Sequence, residues 1–189
     1  MPVPPVFLAA LDSLRGHSFR EEFHLAEIPA PKKIAPWAAA LAAEINLTGA
    51  ELDPDGYRGA ARFVLLYDPE GQPAWNSTFR IVAHVSAPVE SELAADPLLG
   101  EVAWSWLTDA LARHNAQYHS LNGTVTRQID ETFGGLTLAG THVSVEIRAS
   151  WSPESEDVSD HLDAWARFAC QAGGLDPDLP TITPSLEST

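Results

Sequence analysis

The run THVSVEIRASW, residues 141 to 151, alternates without a break. Val143, Val145, Ile147, Ala149 and Trp151 fall on one side, and His142, Ser144, Glu146, Arg148 and Ser150 on the other. A period of two is that of a strand, and a single apolar side means a sheet buried on one face and wet on the other. Parallel strands packed between two layers of helices read apolar on both sides, so this pattern points to an antiparallel sheet with its helices on one face.

Other segments supply the rest of such a domain. VPPVFLAALDSLRG reads as a short helix over 5–15, stopped at Gly16. SFREEFHLAEI alternates and gives a strand near 20–28. APWAAALAAEINL is ambiguous: its alanines and the spacing Trp37, Leu41, Ile45 suit a helix, while small residues also suit a strand tightly covered by a helix. We read it as a strand over 38–47, in a meander with the next two. TGAELDPDGYRG is a surface loop. AARFVLLYD is a strand, PEGQ a turn and AWNSTFRIVAHVSA a second strand ending at Pro88. Asp96 as N-cap and Pro97 at the first helical position open a helix running to about Asn115. LNGTVTRQIDETF is a further strand, GGLTLAG a turn region, and 157–172 a last helix capped at Gly173. Asn122-Gly123-Thr124 and Asn76-Ser77-Thr78 match a glycosylation acceptor pattern but read as turns, each before a strand.

The order is therefore α-β-β-β-β-α-β-β-α, an α+β domain of five to six mostly antiparallel strands and three helices. It fills residues 1–175, and 176–189 form a Pro-rich flexible tail. FRIVAHVSAPVESE and VEIRASWSPESED each read as a strand, a Ser-Pro corner and acidic residues before a Trp-containing helix, which suggests a ββα pseudo-repeat.

Charge narrows the function. With 26 acidic and 11 basic residues the formal charge is −15, and the only adjacent basic pair is Lys32-Lys33. Nucleic acid is not an expected partner, because phosphate backbones need a concentrated basic patch. One cysteine, Cys170, rules out a disulfide framework and fits a reducing compartment. No apolar run approaches the ~18 residues of a membrane span, and the N-terminus lacks a basic signal-peptide region, so a cytoplasmic location is expected.

No complete catalytic or cofactor motif is present. His114 and His119 are five apart across a helix end, which is not a helical ligand pair. Gly134-Gly135 follows a strand without a phosphate-binding glycine pattern, and GxSxG is missing. The expectation is no metal and no cofactor. One constellation stands out: if the apolar sides of the later strands face the helices, the other sheet face carries Arg80, His84, Glu146 and Arg148. Such a set suits anion binding or proton transfer, or simply cross-strand ion pairs on a wet surface. The facing of Arg127, Ile129 and Glu131 is not fixed by the sequence.

The helix EVAWSWLTDAL raises a second candidate. Leu99, Val102, Ala103, Trp106, Leu107 and Ala110 form its inward stripe, with Trp106 near the middle. Trp104 falls at the margin beside Gly100 and Leu111, since residues two apart on a helix point about 200° apart. It needs a second cover, either another helix of this chain or a partner surface built on Trp104, Gly100 and Leu111.

FVLLYDP and WSWLTDAL, within a stretch covering roughly 20–175, resemble an uncharacterised actinobacterial family catalogued as domain of unknown function 3000. The resemblance implies a bacterial cytoplasmic protein and brings no activity or site residue. By element order alone the chain is similar to the type III secretion chaperone-like fold, whose members are small, acidic and often dimeric. Two readings follow. One is a non-enzymatic, chaperone-like protein-interaction module, homodimeric through Trp104. The alternative is a small-ligand binder or enzyme using the polar sheet face. A concave pocket at that face would favour the alternative, and a flat one the first.

Overall fold

The alternation at 141–151 lies in the strand that joins the two halves of the sheet. The computed structural model describes residues 2–47, 56–135 and 140–179. The elements are α1 (Pro5–Ser13), β1 (Phe23–Ile28), β2 (Trp37–Asn46), β3 (Tyr57–Gln72), β4 (Ser77–Pro88), a single turn α2 (Ser91–Ala94), α3 (Leu99–Arg113), β5 (Tyr118–Thr132), β6 (Gly140–Pro153) and α4 (Ser159–Ala172). The strands form one antiparallel sheet in the order β1-β2-β3-β4-β6-β5. The chain is thus α+β, as the sequence predicts, with α2 as an added turn. No helix among the described residues is long and apolar enough to cross a membrane. Of the loop predicted at 48–59, the turn at 134–140 and the tail at 176–189, residues 48–55, 136–139 and 180–189 lie outside the described residues, and Tyr57, Arg58 and Gly59 of the predicted loop already belong to β3.

The ambiguous alanine-rich segment is a strand. Its small side chains let α1 lie close, so that Phe7 stacks on Tyr67 at 5.9 Å and meets Trp37 at 6.4 Å. One face of the sheet is covered by helices. Phe63, Leu65, Ile81, Val85, Ile147 and Trp151 project from it and are all at most 1% exposed. Trp165 of α4 fills the centre, edge-on to Phe23 at 5.4 Å and tilted against Phe63 at 5.5 Å. Burying each such ring contributes on the order of 2–3 kcal/mol.

The two look-alike phrases are β4 and β6 themselves. They pair antiparallel with Ala83 opposite Ala149, and the units β3-β4-α3 and β5-β6-α4 flank that pair. Helices cross between them: α4 packs on β3 and β4, while α3 packs on β5. Beyond this shared part, β2 and β1 extend the sheet past β3, and nothing among the described residues extends it past β5.

Three sequence expectations shift. The β3–β4 hairpin turns at Pro73–Asn76, not at PEGQ, because the ladder breaks its register between Tyr67 and Gln72 and Asn76 closes the turn at φ 50°. Helix α3 begins at Leu99 with no side-chain cap. Asp96 instead accepts the Leu98 N–H at 2.8 Å, holding a turn that leads into the helix. Asn122-Gly123-Thr124 is not a turn but lies inside β5. The start of the expected tail is held: Asp178 pairs with Arg167 at 2.8 Å and Arg113 at 3.5 Å, and Arg20 donates to the Asp176 carbonyl at 2.6 Å.

Candidate functional site

Strand register puts the polar residues of four strands on the face away from the helices. Arg62 of β3 opposes His84 of β4, and His84 opposes Arg148 of β6. Three basic side chains therefore stand in one row across the sheet, with Ala42 at one end and Thr124 at the other. They line a concavity of about 640 Å³, whose floor is Val64, Val82 and Ala60. That volume is in the range of small-molecule sites, roughly 300–1,000 Å³.

Glu146 organises one end of the row. Its Oε1 meets His84 Nε2 at 2.7 Å and accepts from Arg148 Nε at 2.7 Å and from a terminal Arg148 nitrogen at 2.6 Å. The hydrogen bond to His84 first, and those to Arg148 second, hold the Glu146 carboxyl below its usual range. Arg148 remains 69% exposed, with its head available to solvent. Arg62 has no ion pair or side-chain hydrogen bond among the described residues. Glu44 is the other acid on the rim.

Arg80 lies on the same face of β4 but apart from this cluster. It is 4% exposed and donates to Ser152 Oγ at 3.0 Å, Ser150 Oγ at 2.8 Å and the Ser150 carbonyl at 3.3 Å. All three acceptors are neutral, and burial lowers the guanidinium below its ordinary value. The β3–β4 hairpin lies over this end: Ser152 donates to the Trp75 carbonyl at 2.6 Å. Of the four residues assigned to this face from sequence, His84, Glu146 and Arg148 come together and Arg80 is a buried anchor beside them. Arg62 was missed. Its signal was the alternation Phe63, Leu65, Tyr67, which sends Arg62, Val64 and Leu66 the other way.

The Trp104 surface is built differently from the sequence expectation. The buried stripe of α3 is Leu99, Ala103, Leu107, Ala110 and Leu111; Val102 is 43% exposed. The two tryptophans flank this stripe, both half-buried. Trp106 lines a separate groove with Pro88, Val89 and Leu93, so it is not mid-stripe. Trp104 lies on Gly123 of β5: a Cβ there would stand 2.8 Å from the indole Cζ3. Its cover comes from its own chain, through the one residue type that leaves room for the ring. Leu111 is fully buried and withdrawn from any surface, and Gly100 faces open space.

Three other histidines are held by contacts within the fold. His161, 3% exposed, accepts from Trp151 Nε1 at 3.0 Å, and burial pushes it down to about 4. His17 meets the Asp163 carboxylate at 2.7 Å and the Ser13 carbonyl at 2.8 Å. Burial opposes its charge, yet these two acceptors raise it above its ordinary value. His119 bridges Glu154 and the Asn76 carbonyl. Cys170 is buried, which pushes its thiol up to about 11. Among the described residues no three potential metal ligands come together.

Comparison with curated proteins and with solved structures returned no match. The model of the family described as "Protein of unknown function (DUF3000)" matches residues 3–183, and the chain belongs to that family.

Proposed function

We propose that this protein is a non-enzymatic binding module that takes a small anionic ligand in the concavity of its open sheet face. The carrying observation is the row Arg62–His84–Arg148. Arg62 and Arg148 carry like charges on one row of the sheet, with His84 between them. A chain of charge −15 has no shortage of carboxylates to pair them, yet Arg62 is left without one among the described residues. An incoming carboxylate or phosphate supplies the missing countercharge and accepts from Arg62 and Arg148 together. His84, its Nε2 held by Glu146, stands between the two arginines. Val64 and Val82 give the ligand an apolar floor.

This reading is preferred to homodimerisation through Trp104, whose motive was an uncovered indole, because Gly123 of β5 lies against part of that ring. A cytoplasmic, actinobacterial setting and a chaperone-like element order are compatible with a binding role and add no residue to it.

Calorimetric titration at low salt with inorganic phosphate and, separately, with citrate tests the proposal and distinguishes the two anion chemistries. At least one should bind. Arg62→Gln should weaken binding by ~10–100-fold, the worth of one charge-assisted hydrogen bond. No heat from either anion at millimolar concentration, or binding unchanged in Arg62→Gln and Arg148→Gln, would overturn it.

A further inference from the structure

The two ends of the sheet are managed differently. On one side β3 is covered by β2, and β2 by the six-residue β1, a short edge strand. On the other side β5 is the edge, and it runs for 15 residues, Tyr118–Thr132, with most of them exposed. In the arrangement around β4 and β6, β5 is the counterpart of β3. The place that β2 occupies against β3 has no occupant against β5 among the described residues. A long edge with unpaired N–H and C=O groups and no proline is a template for strand addition.

The side chains of this edge are complementary to themselves. If a second β5 runs antiparallel with Ile129 facing Ile129, then Arg127 of each copy faces Glu131 of the other. Val125 then faces Phe133, and Thr126 faces Thr132. Ile129 and Phe133 are 65% and 79% exposed, the two most exposed large apolar residues among those described. Directly opposed residues of opposite charge stabilise a strand pair by roughly 0.2–1 kcal/mol each. This register gives two such pairs and sets the exposed apolar side chains against apolar neighbours. A shift of the centre by one residue pairs Arg127 with Ile129 instead and loses both charge pairs. Arg127 also donates to the carbonyls of Ala94 at 3.1 Å and Pro97 at 3.2 Å, which fixes its side chain at this edge.

We propose that two copies of this chain associate through their β5 edges, antiparallel and centred on Ile129, to form one continuous twelve-stranded sheet (twice six strands). The two open faces then lie side by side, which leaves the anion site of each copy intact and makes this inference independent of that reading.

Sedimentation equilibrium of the full chain over a wide concentration range is the test. Wild type should show a monomer–dimer equilibrium. Ile129→Lys, at an exposed position, should be monomeric with unchanged circular dichroism. Arg127→Glu and Glu131→Arg should each be monomeric alone, because each sets like charges opposite one another, and a one-to-one mixture of the two should recover a dimer. Wild type that stays monomeric up to near-millimolar concentration would overturn the proposal. So would a dimer that survives Ile129→Lys and Glu131→Arg unchanged. If Arg127→Glu loses its fold with the Ala94 and Pro97 contacts, the Ile129→Lys and Glu131→Arg results decide alone.

Discussion

His161 gives the stability of this protein a pH dependence whose size can be worked out. Its Nδ1 accepts the Trp151 indole N–H, and the proton on its other nitrogen goes to the Gln117 carbonyl, so the folded protein holds the neutral ring. Burial lowers the folded value to about 4, against an ordinary 6.5. Between these values the unfolded chain binds a proton that the folded chain refuses, so stability rises with pH across that window. The contribution is fully present above about 6.5 and lost as pH falls towards 4. Integrated from pH 7.5 to 4.5, it amounts to about 2–3 kcal/mol. For a chain of this size that is about 5–10 °C in Tm. His17 acts in the opposite direction: its folded value is raised, so its stabilisation is present at low pH and fades as pH rises through that value. The assay is therefore a difference. Urea unfolding of wild type and His161→Gln at pH 7.5 and 4.5 isolates the His161 share, since Gln accepts from Trp151 and does not titrate. The pH loss should be about 2–3 kcal/mol smaller in the variant. Equal pH losses in the two proteins would mean that His161 is solvated or charged in the fold, and the reasoning would fail.

Three further outcomes follow from packing. Gly123→Ala places a methyl against the Arg148 carbonyl, 2.8 Å from the Trp104 ring and 2.9 Å from the Ala149 Cα, and should cost ~1–3 kcal/mol in thermal unfolding with a changed tryptophan emission. Gly100→Ala, whose methyl enters open space on α3, should instead stabilise by up to about 1 kcal/mol, and a loss there would contradict the placement of that helix face. Arg80→Met removes a buried charge with only neutral partners and should leave stability within about 1 kcal/mol of wild type or raise it; a loss above about 3 kcal/mol in urea unfolding would show that its serine bonds outweigh the burial cost.

Strand identity was legible wherever one face is buried, because alternation is then enforced residue by residue. Val143 to Trp151 and the later half of β4 show this, and their alternation alone places His84, Glu146 and Arg148 on one face. Position along a helix was less legible. The arc of α3 reads as centred on Trp106, but the true centre lies near Ala103 and Leu107, and small alanines leave little trace in a hydrophobic stripe. Pairings between distant strands were not legible at all. That Arg62 stands beside His84, or that a glycine in β5 receives Trp104, depends on register between segments about twenty residues apart. No local pattern encodes it.

The central claim is that the open sheet face, and not the helical face, meets the ligand. Backbone and arginine side-chain NMR shifts, followed while phosphate or citrate is titrated at low salt, test it most directly. The account predicts saturable shifts centred on Arg62, His84, Arg148 and Thr124, with α3 and α4 unmoved. Shifts centred on the helices, or none along that row at millimolar anion, would contradict it.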